Sequence, residues 1–203
     1  MKKWLIPVII IAVFVFGMYS WAKGVNNTAI TLNENISEAW GNVETSYQRR
    51  NDLIGNLVKT VKGAADFEKS TLEAVINARS KATGVTIDPS NITPEQLNQF
   101  NQAQSGLSSA LSRLLVTVER YPDLKANQNF LKLQDELAST ENQILTARTR
   151  FNEAVKPYNN HIKVFPNNIL AGIFGFTEKA YFKAVEGAEK PVDVEFDFDN
   201  KPQ

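Results

Sequence analysis

The chain has 203 residues, no cysteine and a single histidine. Without cysteine there can be no disulfide, no thiolate nucleophile and no thiolate-held metal. Any histidine-based triad would have to be built on His161, and a metal held away from it would have only oxygen ligands. Excess basic charge is missing too: Lys+Arg and Asp+Glu are 22 each, so composition argues against nucleic acid as a partner. No glycine-rich phosphate loop occurs. DFDFDN near the C-terminus lacks the central glycine and closing glutamate of a calcium loop. Ser80-Lys81 and Lys69-Ser70 are sequence neighbours, which on a helix point about 100° apart and make poor dyads. Asp135, Glu136 and Glu141 are expected on solvated helix faces. These absences assign no catalytic residue, no metal and no cofactor, and they favour a non-enzymatic protein.

Long apolar order is what the chain does have. Trp4 to Ala22 is nineteen residues without a charge, about 29 Å as a helix, which matches a bilayer core. The run exceeds the apolar core of a signal peptide, and Trp4, Tyr19 and Trp21 flank it as interfacial anchors, so residues 1–24 are read as an uncleaved single-pass transmembrane helix in lipid through 4–22. Lys2 and Lys3 precede it and only Lys23 follows closely, which places the N-terminus in the cytoplasm and the body outside.

The body, 25–182, reads as all-α. Val25 to Ile30 is small and polar and is expected to be a short exposed connection. An amphipathic stripe then starts near Thr31 with Ile36, Trp40, Val43, Tyr47, Ile54, Leu57 and Val61, with Arg50 placed at the bundle edge as a snorkelling side chain. Gly63 suggests a bend or break before a second stripe through Phe67, Leu72, Val75, Ile76 and Ala78. Thr83 to Asn91 is a turn region, and Thr93-Pro94-Glu95-Gln96 is a helix start with a capping box. Leu97, Gln104, Leu111 and Val118, with Phe100, Leu107, Leu114 and Tyr121, form its heptad rows until Pro122, and the short PDLKAN link predicts antiparallel packing against the next helix.

That next helix carries the clearest pattern. Phe130, Leu137, Ile144, Phe151, Tyr158 and Phe165 recur every seven residues, with Leu133, Thr140, Ala147, Ala154 and His161 half a heptad on. His161 is expected to be a core or edge residue, and Pro157 predicts a kink or a new helical segment. Beyond it, Ile169, Leu170, Ile173, Phe174 and Phe176 crowd PNNILAGIFGF. A cap folding back over the bundle end is the favoured reading, and a lipid or partner contact through Ile169, Ile173, Phe174 and Phe176 is the other. In the tail, 183–203, Val192, Val194, Phe196 and Phe198 alternate with acids; a disordered acidic extension is favoured over a strand that pairs with a partner's sheet through Phe196 and Phe198.

Several separated blocks, WGNVETSYQRRNDLIGNLVKTVKGAADFEKSTLEAVINARSKA, ALSRLLVTVERYPDLKANQNFLKLQDELASTENQILTARTRFNEAVKPYN and FPNNILAGIFGF followed by AYF, resemble the LemA family over about residues 25–182. The resemblance implies a bacterial membrane-anchored up-and-down bundle and carries over no catalytic residue and no established activity. Residues and resemblance together predict an antiparallel bundle of three to four long helices behind one transmembrane helix. Its expected role is a cell-envelope scaffold or adaptor acting on an unidentified protein partner, with homo-oligomerisation left open. The alternatives are a membrane-shaping or membrane-sensing protein using 166–176 and, remotely, a carboxylate-dependent hydrolase. Because folding is read without a metal, EDTA is expected to leave the melting temperature of the chain unchanged; a drop of several degrees would point to oxygen ligands.

Overall fold

A computed structural model describes residues 4–63 and 67–183, and every regular element among them is helical. The order is α1 (Leu5–Lys62), α2 (Lys69–Thr83), a 3-10 turn (Pro89–Asn91), α3 (Pro94–Val118), α4 (Pro122–Lys125), α5 (Gln128–Lys163) and α6 (Asn167–Phe174). The predicted all-α bundle is thus observed, with four long helices running up, down, up and down. Trp40 meets Phe151 and Arg50 meets Glu141, so α5 runs against α1; Glu68 meets Arg120 and the Ala82 carbonyl meets Gln104, so α3 runs against α2, whose Arg79 meets Asn51 and Asp52 of α1.

α1 has 58 residues, about 87 Å. The connection expected at Val25 to Ile30 does not exist, because the helix passes through it without interruption. Asparagine and threonine are only weak helix breakers, and packing overrides them here: Val25 and Ala29, one turn apart, are buried while Asn27 and Thr28 face outward. The Thr31 hydroxyl donates back to the Asn27 carbonyl. At the other end the Gly63 N–H caps the Lys59 and Thr60 carbonyls, so the chain forms two helices rather than one bent one. On α2, Ile76 proves exposed and lies off the buried stripe of Leu72 and Val75.

The α3 capping box forms as expected, with Thr93 Oγ1 accepting from the Gln96 N–H and Gln96 Oε1 from the Thr93 N–H. Pro122 does not itself stop α3, which ends at Val118; it occupies the first turn of α4, where its missing N–H costs nothing. A second correction concerns neighbours. The short link predicted α3 against α5, yet the close backbone approaches are α1 with α5 and α2 with α3. The intervening α4 turn gives the chain room to step sideways, so a groove opens between α3 and α5.

α5 runs through Pro157 to Lys163, and the predicted new segment begins only after Pro166. Pro157 is exposed, so the Glu153 carbonyl that loses its donor lies on the solvated side. The heptad file is buried from Phe130 to Tyr158 and fails at Phe165, which is 80% exposed because α5 has already ended. Two apolar clusters fill the bundle. One, toward the apolar end of α1, centres on Trp40 with Phe100, Phe151 and Phe182 at ring distances of 5.4, 5.5 and 6.0 Å. The other gathers Leu53, Leu57, Val61, Leu107, Leu114 and Phe130.

Phe151→Ala empties a fully buried site in the first cluster and should cost about 3–5 kcal/mol, whereas Glu153→Ala, exposed two residues away, should cost little. Urea unfolding of a fragment starting at Lys23 checks this, and equal small effects would place the seam elsewhere.

Candidate functional site

Of the predicted surface residues, Trp4 and Tyr19 are exposed, Trp21 is half-buried, and the intervening apolar stretch is left exposed by the described residues. α1 therefore has an apolar end long enough to cross a membrane. The Ile169 to Phe176 region divides into two faces. Ala171 is buried and Phe176 packs against the core, closing the bundle end as the cap reading expects, while Ile169, Ile173 and Phe174 point outward. Phe196 and Phe198, and the tail reading resting on them, lie outside the described residues. His161 is an edge histidine: its Nε2 sits 3.0 Å from the Val25 carbonyl of α1.

The groove between α3 and α5, a cavity of about 1060 Å³, went unread in the sequence. α1 supplies its floor through Tyr47 and Arg50. Arg50, expected at a solvated edge, is only 3% exposed. The register of α1 turns it inward, where Nη1 donates to Glu141 Oε1 (3.0 Å) and Ser108 Oγ (3.4 Å) and Nη2 donates to Gln104 Oε1. Glu141 is thereby a wall residue of the groove rather than a free surface acid. The guanidinium also lies 5.0 Å over the Tyr47 ring, and its Nε is buried without a partner. Burial pushes the Tyr47 hydroxyl pKa up, against the lowering pull of Arg148 and Arg50. This layer separates the two apolar clusters.

One end of the groove is already filled by the chain itself. Asn159 Nδ2 donates to the Lys179 carbonyl (2.8 Å) and its Oδ1 accepts from the Lys179 N–H (2.9 Å). Asn152 repeats the arrangement on Phe182, with both bonds at 2.9 Å. The asparagines are seven residues apart, about 10.5 Å along α5, while the captured residues are three apart, so that chain advances about 3.5 Å per residue and must be nearly extended. It runs antiparallel to α5, and Arg148 adds a bond to the Lys183 carbonyl. These bonds read backbone, not side chains. Lys179 is buried on the same segment, with Nζ on the Ser90 carbonyl; burial lowers its pKa and Asp88 opposes the shift. Asn152 and Asn159 escaped sequence reading because they flank the apolar file, although their heptad spacing was a usable signal.

Chemically the groove suits binding. No Asp or Glu is buried among the described residues, and among them no three or more His, Asp or Glu side chains gather as a metal site would need. Its α3 wall is neutral and amide-rich, with Asn98, Asn101 and Gln104, while Arg50, Arg148, Lys179 and Lys183 outnumber Glu141 and Glu178.

Replacing either Asn152 or Asn159 with alanine leaves a backbone pair partly buried and unsatisfied, a loss of about 1–3 kcal/mol each. In the double variant, hydrogen exchange at 179 and 182 should rise sharply while Leu137 stays protected; unchanged exchange would mean that the asparagines do not hold the segment.

A family model described as the LemA family matches residues 39–196, which takes in all the resembling blocks, beginning later and extending further than the range of about 25–182 that the resemblance covers. Magnetosome protein MamQ 2 of Paramagnetospirillum magneticum is 29% identical over 185 residues, covering 82% of this chain and 67% of that protein. Magnetosome protein MamQ of Magnetospirillum gryphiswaldense is 27% identical over 183 residues, with the same coverage. Protein LemA of Metamycoplasma hominis is 25% identical over 171 residues, 84% of this chain and 74% of its own. With most of its length matched by that model, the chain belongs to the LemA family.

Proposed function

We propose that this protein is a non-enzymatic, membrane-anchored adaptor of the bacterial cell envelope that binds other proteins through the α3–α5 groove. The observation that carries this reading is the extended segment already seated there, held through its backbone by Asn152 and Asn159. A groove that accepts its own chain this way has the chemistry to accept another extended chain alongside, and the basic excess around Arg148 and Lys183 favours an acidic one. The uninterrupted α1 supports the anchoring half, because it joins an apolar span to the floor of the groove without a hinge. Lys2 and Lys3 before the span favour a cytoplasmic N-terminus with the bundle outside.

A photo-crosslinking residue at Ser105, on the groove wall, should trap another polypeptide in membranes carrying the full chain. The adduct should fall on Arg148→Glu and be missing when the crosslinker sits at exposed Gln143 on the other side of α5. The same adducts from both positions, or adducts indifferent to Arg148→Glu, would overturn the reading.

A further inference from the structure

The exposed face of α6 and the turn before it sit at one end of the bundle, and three contacts fix which end. His161 Nε2 meets the Val25 carbonyl, Asn167 Nδ2 donates to the His161 carbonyl (3.3 Å), and α6 packs on both α1 and α5. Val25 is three residues, about 4.5 Å along the helix, from Ala22 at the end of the uncharged span. α6 therefore lies within about one helical turn of the level at which α1 would leave a bilayer.

Its outer surface and the turn before it are apolar. Ile169 and Ile173, one turn apart on α6, are 55% and 72% exposed with Phe174 beside them, and Phe165, 80% exposed, stands in the turn just before the helix. Val164 to Phe176 contains no charged residue, and the next charges on either side, Lys163 and Glu178, pair with each other. A soluble bundle gains nothing by presenting such a surface to water. Bundle closure does not require it either, since Ala171 and Phe176 already perform that task from the opposite face.

We propose that Phe165, Ile169 and Ile173 insert into the interfacial layer of the same bilayer that α1 crosses, making a second, shallow membrane contact that sets the orientation of the bundle at the surface. Continuity with the apolar span selects lipid as the occupant. An amphipathic helix needs a depth of only about 5–10 Å for this, which a level within one turn of the boundary supplies. The inference rests on the anchoring half of the function proposed above, not on the groove.

The chain lacks cysteine, so single nitroxide labels can be placed without background. Val13→Cys in the span, Ile169→Cys and Ile173→Cys on α6, and Leu131→Cys at the far end of α5 are labelled in the full chain, reconstituted in phosphatidylethanolamine–phosphatidylglycerol bilayers. All four positions are exposed, so none disturbs the core. Oxygen should relax the labels at 13, 169 and 173 more than a water-soluble nickel chelate does, and the order should reverse at 131. A label at 13 in lipid with those at 169 and 173 open to nickel would overturn the α6 contact and leave the anchor standing. Labels at 169 and 173 closed to both reagents would overturn it in favour of a protein cover. Nickel access at 13 would overturn the anchor, and the α6 contact with it.

Discussion

α1 is a helix in two solvents. For its first turns it presents apolar side chains on every side, which is stable only where the surroundings are apolar; from Val25 onward it buries one stripe and hydrates the other. No loop separates the regimes, so orientation is transmitted from one to the other by backbone hydrogen bonds alone. A bundle joined by a flexible connection could turn freely about it, whereas this one is joined to the apolar end of α1 by continuous helix. The other helices are arranged on that axis: α5 packs along it, α2 returns beside it, and α6 closes against it at the level of Val25.

Pairing α5 with α1 and α2 with α3 has a consequence for the remaining side. Two tight pairs meeting through their shared core leave α3 and α5 apart, and the space between them reaches down to α1. An extended segment covers one end because it can satisfy its backbone on α5 and the turn before α3 together: Asn159 bonds the Lys179 backbone on one flank, and the Ala180 N–H donates to the Ile92 carbonyl on the other, where the Lys179 ammonium also meets the Ser90 carbonyl. Side-chain amides are suited to this role, since each offers a donor and an acceptor and reproduces one step of a sheet ladder where a helical bundle has no strand to lend.

The periodic parts of this architecture were legible in the residues. The file from Phe130 to Tyr158 and the capping box at Thr93 follow from helix geometry alone, and both appear where the spacing put them. What was misread depends on lateral packing. Asn26, Asn27 and Thr28 look like a linker until Val25 and Ala29 are seen to have neighbours, and Phe165 continues a heptad that its helix does not reach. The placement of Arg50 failed for the same reason: its inward register was visible in the stripe, but Gln104, Ser108 and Glu141, which make burial tolerable, lie 54 to 91 residues away. Loop length said which helices follow one another in the chain, not which stand side by side.

Arg50 also bears on how the groove is built. Burying a guanidinium carries a desolvation penalty of several kcal/mol, and apolar residues of similar volume often serve stability as well or better. Here the compensation is incomplete, since Nε has no partner and Glu141 is half exposed to solvent. A bundle selected for stability alone would join its two apolar clusters across this layer with leucine or methionine. Retaining Arg50 instead keeps a polar group, bonded to Glu141, Ser108 and Gln104, at the floor of the groove beside its neutral, amide-rich α3 wall. On the adaptor role proposed above, the stability forgone at Arg50 is what gives the groove a polar floor by which an acidic chain would be told from a neutral one.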